Sequence, residues 1–523
     1  MSDKLSFGEM ITQGYTFKGE SLVLGTAMFQ GEALPNHHVK VPLKTINRHG
    51  LIAGATGSGK TKTLQIIAEQ LSRQGVPSLL MDIKGDLSGI AQAGTTNAKI
   101  EERHQKIGIP YTPAGSPVEF LTLSGEKGAR LRATVTEFGP VLFSKIMGLN
   151  ETQAGVVAVV FKYCDDHDLP LLDLKDLKKT LQYLTNEGKD AIEEEYGKIS
   201  TTTVGAIMRK VVELEQQGAD QFFGERSFEV DDLCRVDEQG RGYVSVVRLT
   251  DIQDRPKLFS TFMLQLLAEI YASFPEEGDL DRPKLVLFLD EAHLIFSEAS
   301  PALLDQIESI VRLIRSKGVG VFFVSQNPAD IPDNVLGQLG LKIQHSLRAF
   351  TAKDRKAIKT AAENYPETTF YEVDRLITEL GIGEAMVTAL NEKGIPTPLA
   401  HTLLRAPESR MDILTATEID AIIHASFLVR KYNEVIDSDS AHEMLTRKIE
   451  KAKEALLREQ TAAEQAKAST TSGKSSGRTP AAEKSVLEQV LSSPVAKQVG
   501  RTAANVLVRG LLGALGLSGR SRR

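Results

Sequence analysis

Tryptophan is absent from this chain, and only two of its 523 residues are cysteine. The missing indole excludes nothing. Two thiols, Cys164 and Cys234, cannot build a disulfide framework or a cysteine-rich zinc module, so both are expected to be reduced and partly buried. No run of about 18 apolar residues occurs, which argues against integral membrane insertion. The nearest stretch, Ala503–Leu517, is shorter and carries Arg509. The first 20 residues lack the basic-then-apolar order of a secretory signal, so a cytoplasmic location is expected. An excess of positive charge is also missing: 62 Lys and Arg stand against 68 Asp and Glu, a net charge of −6. Such a body does not coat nucleic acid with its outer surface, although a narrow basic channel remains compatible with it. The one basic stretch without acids is the end, with Lys497, Arg501, Arg509, Arg520, Arg522 and Arg523. It reads as a solubilising end or as an amphipathic helix that docks on the protein itself, on an unknown protein partner or on a membrane surface.

What is present is an ordinary globular composition, 41% hydrophobic and 25% charged. The length suggests about three structural units, or one large domain with appendages. Residues 1–45 read as short extended segments, Leu22–Gly25 and Val39–Leu43, added to a neighbouring sheet. His37-His38 lacks partners at ligand spacing and reads as loop. From Ile46 onward, short apolar runs alternate with helical patterns, which argues for a mainly parallel sheet. These runs are Leu51–Ala53, Pro77–Asp82, Tyr243–Leu249, Lys284–Leu289, Val319–Val324 and Leu341–Leu347. The fold class expected from this alternation is α/β, with a mainly parallel central sheet, a helical insert, a short N-terminal β extension and a helical C-terminal tail. The parts divide as a β extension (1–45), a first core part (46–139), the insert (140–240) and a second core part (241–406). C-terminal helices (407–466), a Ser/Thr/Gly linker read as disordered (467–482) and the basic tail (483–523) follow. Thr351-x-x-Asp354 reads as a capping box opening a helix, and Glu384–Leu404 as a closing hairpin.

The chemistry lies in a few strings. Gly54-Ala55-Thr56-Gly57-Ser58-Gly59-Lys60-Thr61 is G-x-x-x-x-G-K-T. Its glycines let backbone N–H groups turn inward around phosphate oxygens, and the following helix aims its positive end at the same anion. Lys60 is placed to reach the β- and γ-phosphates, and the Thr61 hydroxyl to ligate Mg²⁺. Thr63 is assigned to the same nucleotide site. ATP and Mg²⁺ are therefore the expected cofactors. A P-loop needs an acid at a neighbouring strand end, and Leu285–Leu289 runs into Asp290 and Glu291. Asp290 is expected to hold the metal's water shell, and Glu291 to polarise the attacking water. Two carboxylates capping a buried strand are costly unless they are used. Gln326 ends the next strand and has both donor and acceptor for a γ-phosphate or water. Asp82 ends the strand 77–82 and is either a second acid near Mg²⁺ or a turn former. Arg315 is the favoured finger arginine reaching a neighbour's γ-phosphate, ahead of Arg348 and Arg312. Asp290–His293 spells DEAH, but the second signature of DEAH-box helicases does not follow, so His293 reads as local packing or coupling. No H-E-x-x-H, G-x-S-x-G or cysteine-pair motif appears.

The string Asn47–Thr61, together with Asp82–Asp86, Leu289–His293 and Ser316–Pro328, resembles the HerA/FtsK superfamily of P-loop motor ATPases, and most of all the bacterial HerA-like, YjgR-type family. The resemblance covers about residues 5–406 and the Arg/Gly-rich end. It implies a RecA-like P-loop NTPase of the additional-strand type, a homo-hexameric ring with ATP between subunits, and an arginine finger acting in trans. Characterised relatives move DNA through the ring. Archaeal HerA begins with a full β-barrel, where this chain has only the segment 1–45. The leading expectation is an ATP-hydrolysing ring motor on double-stranded DNA. A motor acting on protein and a nucleotide-gated scaffold are the alternatives.

Overall fold

The computed structural model describes residues 2–470 except 253, 279, 298–300, 435 and 437. They form two compact units. The first contains the described residues of 1–132, 217–222 and 226–435, and the second those of 133–216, 223–225 and 436–523.

The first unit is built on twelve strands: β1 (Ser21–Phe29), β2 (Glu32–Pro42), β3 (Gly50–Ala53), β4 (Ser78–Asp82), β5 (Val118–Thr122), β6 (Ala129–Arg130), β7 (Val244–Arg248), β8 (Leu285–Leu289), β9 (Val319–Ser325), β10 (Leu341–Gln344), β11 (Glu384–Thr388) and β12 (Ala400–Leu404). They make one sheet in the order β2-β1-β12-β11-β10-β3-β9-β8-β4-β7-β5-β6. Every pair from β10 to β6 is parallel; β10–β11, β11–β12, β12–β1 and β1–β2 are antiparallel. The α/β fold with a mainly parallel sheet and an N-terminal β extension is thus as expected. The central strands β3, β4, β8 and β9 are buried at every position, the signature of a parallel sheet covered on both faces.

Register fixes the site. Ala53 pairs with Ser325, Phe323 with Leu289, and Leu289 with Met81. Gly54, Gln326 and Asp290, which follow these strand ends, and Asp82, which closes β4, therefore share one edge of the sheet, the edge at which ligands bind in open parallel sheets. One helix, Lys60–Arg73, starts at that edge and buries Leu64, Ile67, Ala68 and Leu71 in the same core as the strands.

Three parts of the sequence reading need correction. Ser2–Gly14 is a helix, not an extended segment. Its Phe7 and Ile11, with Tyr15 just beyond its end, form a narrow buried stripe, Phe7 stacking on Phe29 at 5.1 Å, and the Tyr15 hydroxyl donates to the carbonyls of Val387 and Pro398. Two glycines and one exposed leucine, Leu5, weaken its helical pattern. His37 and His38 lie in β2 rather than in a loop, where Thr12 and the Ile107 carbonyl partner them. The strand β5 has no clear local signal, because Glu119 interrupts its apolar run. That carboxylate is buried only because the Arg235 guanidinium, at 2.6 Å, and the Ser426 hydroxyl satisfy it.

The second unit is helical. It comprises Val135–Ile146, Glu151–Asp166, Leu174–Thr185, Lys189–Glu195, Thr201–Gln216 and Ala441–Thr470. Capping boxes open three of its helices, at Thr134/Glu137, Asn150/Gln153 and Asp173/Asp176. Asp176 is fully buried and accepts from the N–H groups of Leu172, Asp173 and His442 and from the Ser440 hydroxyl, which ties the last helix to the others. The segment 407–466 thus divides: Ala416–Ala425 and Phe427–Tyr432 pack in the first unit, and the helix from Ala441 belongs to the second. That helix continues through 467–470, the first four residues read as linker. The remaining linker residues and the basic tail lie outside the described residues. Both cysteines are free, Cys164 buried and Cys234 half-buried. Among the described residues no helix is long and apolar enough to cross a membrane.

Candidate functional site

The loop between β3 and the helix Lys60–Arg73 is closed on itself. Gly54 N–H donates to the Ser325 carbonyl at 3.2 Å, Ala55 N–H to Ser346 at 2.8 Å, and the Ser58 hydroxyl to Ala55 at 2.7 Å. Gly54 and Gly59 take φ of +154° and +114°, which side-chain-bearing residues avoid, and a Cβ on Gly54 would lie 2.5 Å from that of His345. Thr56 and Gly57 are exposed at the loop tip. No side chain caps the helix that begins at Lys60, so its first N–H groups are left for another acceptor. Lys60 folds back into the loop, donating to the carbonyls of Gly54 at 2.6 Å and Ala55 at 3.2 Å. Burial and the neighbouring Lys84 depress its pKa, against the pull of Glu291 and Asp290. A buried cationic group beside an uncapped helix N-terminus is an arrangement that suits a phosphate chain.

Thr61 is half-buried at the first turn. Thr63 is buried, and its hydroxyl meets His345 Nε2 at 2.9 Å, so it braces the loop from beneath. Burial pushes His345 down to about 4, so this imidazole is neutral.

Across the edge stand the acids. Asp290 is 3% exposed; its Oδ1 accepts from the Glu291 N–H at 3.0 Å and its Oδ2 is buried with no partner. Burial and the adjacent Glu291 carboxylate push its pKa up to about 7, against Lys84. An orphaned carboxylate oxygen facing away from water costs several kcal/mol of solvation and fits a cation or its water shell. Mg²⁺ therefore suits this donor set: Thr61 and Asp290 would hold it, and it would neutralise phosphate charge. Glu291 takes φ +48°, a strained value for a residue with a side chain. Its carboxylate pairs with Lys84, with His293 Nδ1 at 3.3 Å and with Gln326 Nε2 at 3.5 Å. Burial alone would raise the Glu291 pKa, but the Lys84 contact outweighs it and holds the group below the usual carboxylate range.

Asp82 is also at this edge, but its carboxylate is committed to a turn. It accepts from the N–H groups of Gly85 at 2.8 Å, Asp86 at 3.0 Å and Leu87 at 3.3 Å, and burial raises its pKa to about 6. Arg315 is elsewhere. It precedes β9 at the start of the strand, whereas the loop Gly54–Lys60 follows the end of β3, the parallel neighbour of β9. Seven residues of strand separate the two edges, roughly 20 Å. Arg312 lies on the same helical approach, and Arg348 follows β10 on the edge of the loop. The structure thus gathers Lys60, Asp290, Glu291, Gln326 and Asp82 and leaves Arg315 at the far end of its own subunit.

Lys84 is a site residue that no local sequence signal marks. It stands inside Asp82–Asp86, but nothing local says that it faces Glu291, 207 positions away.

The family described as Helicase HerA-like C-terminal matches residues 28–523. The DNA double-strand break repair helicase HerA of Saccharolobus solfataricus is 23% identical over 377 residues, 67% of this chain and 64% of that protein. The protein of the same description from Sulfolobus acidocaldarius is 23% identical over 385 residues, 69% of this chain and 66% of its own length. This chain thus spans less than two thirds of each relative. Among solved structures, a bacterial conjugative coupling protein, TrwBdeltaN70, in complex with sulphate aligns at 15% identity with a TM-score of 0.48, covering 78% of this chain and 94% of that one.

Proposed function

Since this chain belongs to the HerA-like C-terminal helicase family of P-loop ATPases, we propose that it hydrolyses ATP as a ring motor and translocates on double-stranded DNA. The observation that carries the ATPase half is the pairing of Lys60, closed in its loop, with an unpartnered Asp290 oxygen and a strained Glu291 on the same sheet edge. In this reading Lys60 and the free N–H groups of its helix hold the phosphates, and Asp290 and Thr61 hold Mg²⁺. Glu291, kept ionised, takes the proton of the attacking water, and Gln326 orients that water or the γ-phosphate. Arg315 cannot reach the phosphates of its own subunit across the sheet, which supports a finger delivered in trans within a closed homo-hexamer.

The test is the ATPase rate with and without linear duplex DNA at several salt concentrations. Stimulation by duplex DNA that weakens as salt rises supports the DNA motor, because phosphate contacts release counterions. The excess of acidic residues favours the second reading, a motor on protein. Stimulation by unfolded polypeptide and not by DNA would establish it.

A further inference from the structure

Half of a nucleotide has no assigned place in the site above, and the strand order says where that half goes. Asp290, Glu291 and Gln326 follow β8 and β9, on one side of β3. A triphosphate with its γ-end toward them sends ribose and base the other way, over β10 and β11. Because β11 is antiparallel to β10, the loop entering β11 lies at the same edge as the loop leaving β10. Both touch the phosphate loop. Ala55 N–H donates to Ser346 after β10 at 2.8 Å, and Gly383 N–H, before β11, donates to the Ser58 carbonyl at 3.3 Å. Gly383 N would lie 3.5 Å from a Cβ placed on Gly59.

The loop entering β11 is held from behind. Arg103 donates to the carbonyls of Ile382 at 3.1 Å, Gly383 at 3.1 Å and Leu404 at 3.0 Å. The Glu384 carboxylate accepts from the Gly381 N–H at 3.0 Å and meets His401 Nε2 at 3.0 Å. Gly383 sits at φ +75°, where a side chain would strain the backbone and press on Arg103. On this anchored backbone the Ile382 side chain is 77% exposed, and Phe350, on the loop leaving β10, is 79% exposed. Single exposed apolar residues are ordinary. Two of them on the two loops toward which the base must run are not explained by folding, since neither packs into the core.

We propose that Gly381–Gly383 is the platform for the adenine base, with Ile382 as its apolar face and Phe350 as a second wall. The proposal rests on the nucleotide reading of the P-loop. A side chain on a backbone already fixed needs little further ordering to bind, and covering it with a flat heterocycle removes apolar surface from water.

The experiment is calorimetric titration of the full-length protein with Mg²⁺-ATP and, separately, with inorganic triphosphate, in wild type, Ile382→Ser and Ile395→Ser. Ile395 is a control, an exposed isoleucine in the hairpin between β11 and β12 at the other end of those strands. Ile382→Ser is expected to weaken ATP about tenfold and leave triphosphate unchanged; Ile395→Ser is expected to change neither. Unaltered ATP affinity in Ile382→Ser, or equal losses for ATP and triphosphate, overturns the platform. If wild type binds triphosphate but ATP no more tightly, the P-loop reading stands and the platform falls. If wild type binds neither, the nucleotide reading falls and takes the platform with it.

Discussion

The Lys84 ammonium is ion-paired with the carboxylate of Glu291, joining the turn after β4 to the end of β8 inside the site. This contact holds Glu291 ionised in spite of its burial, and it also holds the carboxylate on the side of Lys84. A γ-phosphate entering the loop would compete for the same ammonium. On the proposed reading, Lys84 acts through Glu291, as a positioning residue.

The consequence is a pH effect with a definite sign. Without Lys84 the Glu291 pKa rises, so protonation disables the base at a higher pH. The acid limb of kcat/KM for ATP hydrolysis, which reports the free enzyme, should move upward in Lys84→Met and return toward wild type in Lys84→Arg. Glu291→Gln should bind Mg²⁺-ATP normally and lose hydrolysis by about 10²-fold or more. Coincident acid limbs in all three Lys84 forms would remove Lys84 from this role.

Arg315 and Lys60 should complement each other. Arg315→Ala alone is expected to bind ATP and lose about 10³-fold in rate, the scale of arginine fingers. Lys60→Ala alone should fail to bind ATP, because the β- and γ-phosphates lose their cationic partner. Mixed, exchanged rings contain interfaces with an intact Lys60 on one side and an intact Arg315 on the other, and the mixture should recover measurable activity. Light scattering on the wild-type protein should give a mass near six times 57.1 kDa. A strictly monomeric protein hydrolysing ATP at full rate on dilution would refute both the finger and the ring.

Glu69, on the P-loop helix, governs a stability effect. Its carboxylate accepts from the N–H groups of Glu408 and Ser409 and from the Ser409 hydroxyl, tying the chain after β12 to that helix. Glu69→Ala leaves buried N–H groups without an acceptor and should cost about 2–4 kcal/mol, read as a lowered Tm. Burial raises the Glu69 pKa from 4.5 to about 7. The native state therefore keeps this proton where the unfolded chain has lost it. The contribution of Glu69 to stability is full below pH 4.5 and declines as pH rises toward 7. Glu69→Gln, which does not titrate, should flatten the fall of Tm across that window; an unchanged slope would count against it.

Local sequence alone specifies the elements of the candidate site. A Gly-rich turn between a buried strand and a helix, and two acids closing another buried strand, are local patterns, legible because steric freedom, burial and charge act within a few residues of each other. Local periodicity likewise marked most core strands. The tertiary structure decided what depends on strand order, which is set by pairing between distant segments. It put Lys84 against Glu291 and closed Asp82 over its own turn. It placed Arg315 at the opposite sheet edge from Lys60 and brought the loop 381–383 beside Ser58. The helix Ser2–Gly14 and β5 belong here too. Their own patterns are broken by glycine or by Glu119, and they are stable because Phe29, Val387 and Arg235, remote in sequence, supply the missing partners.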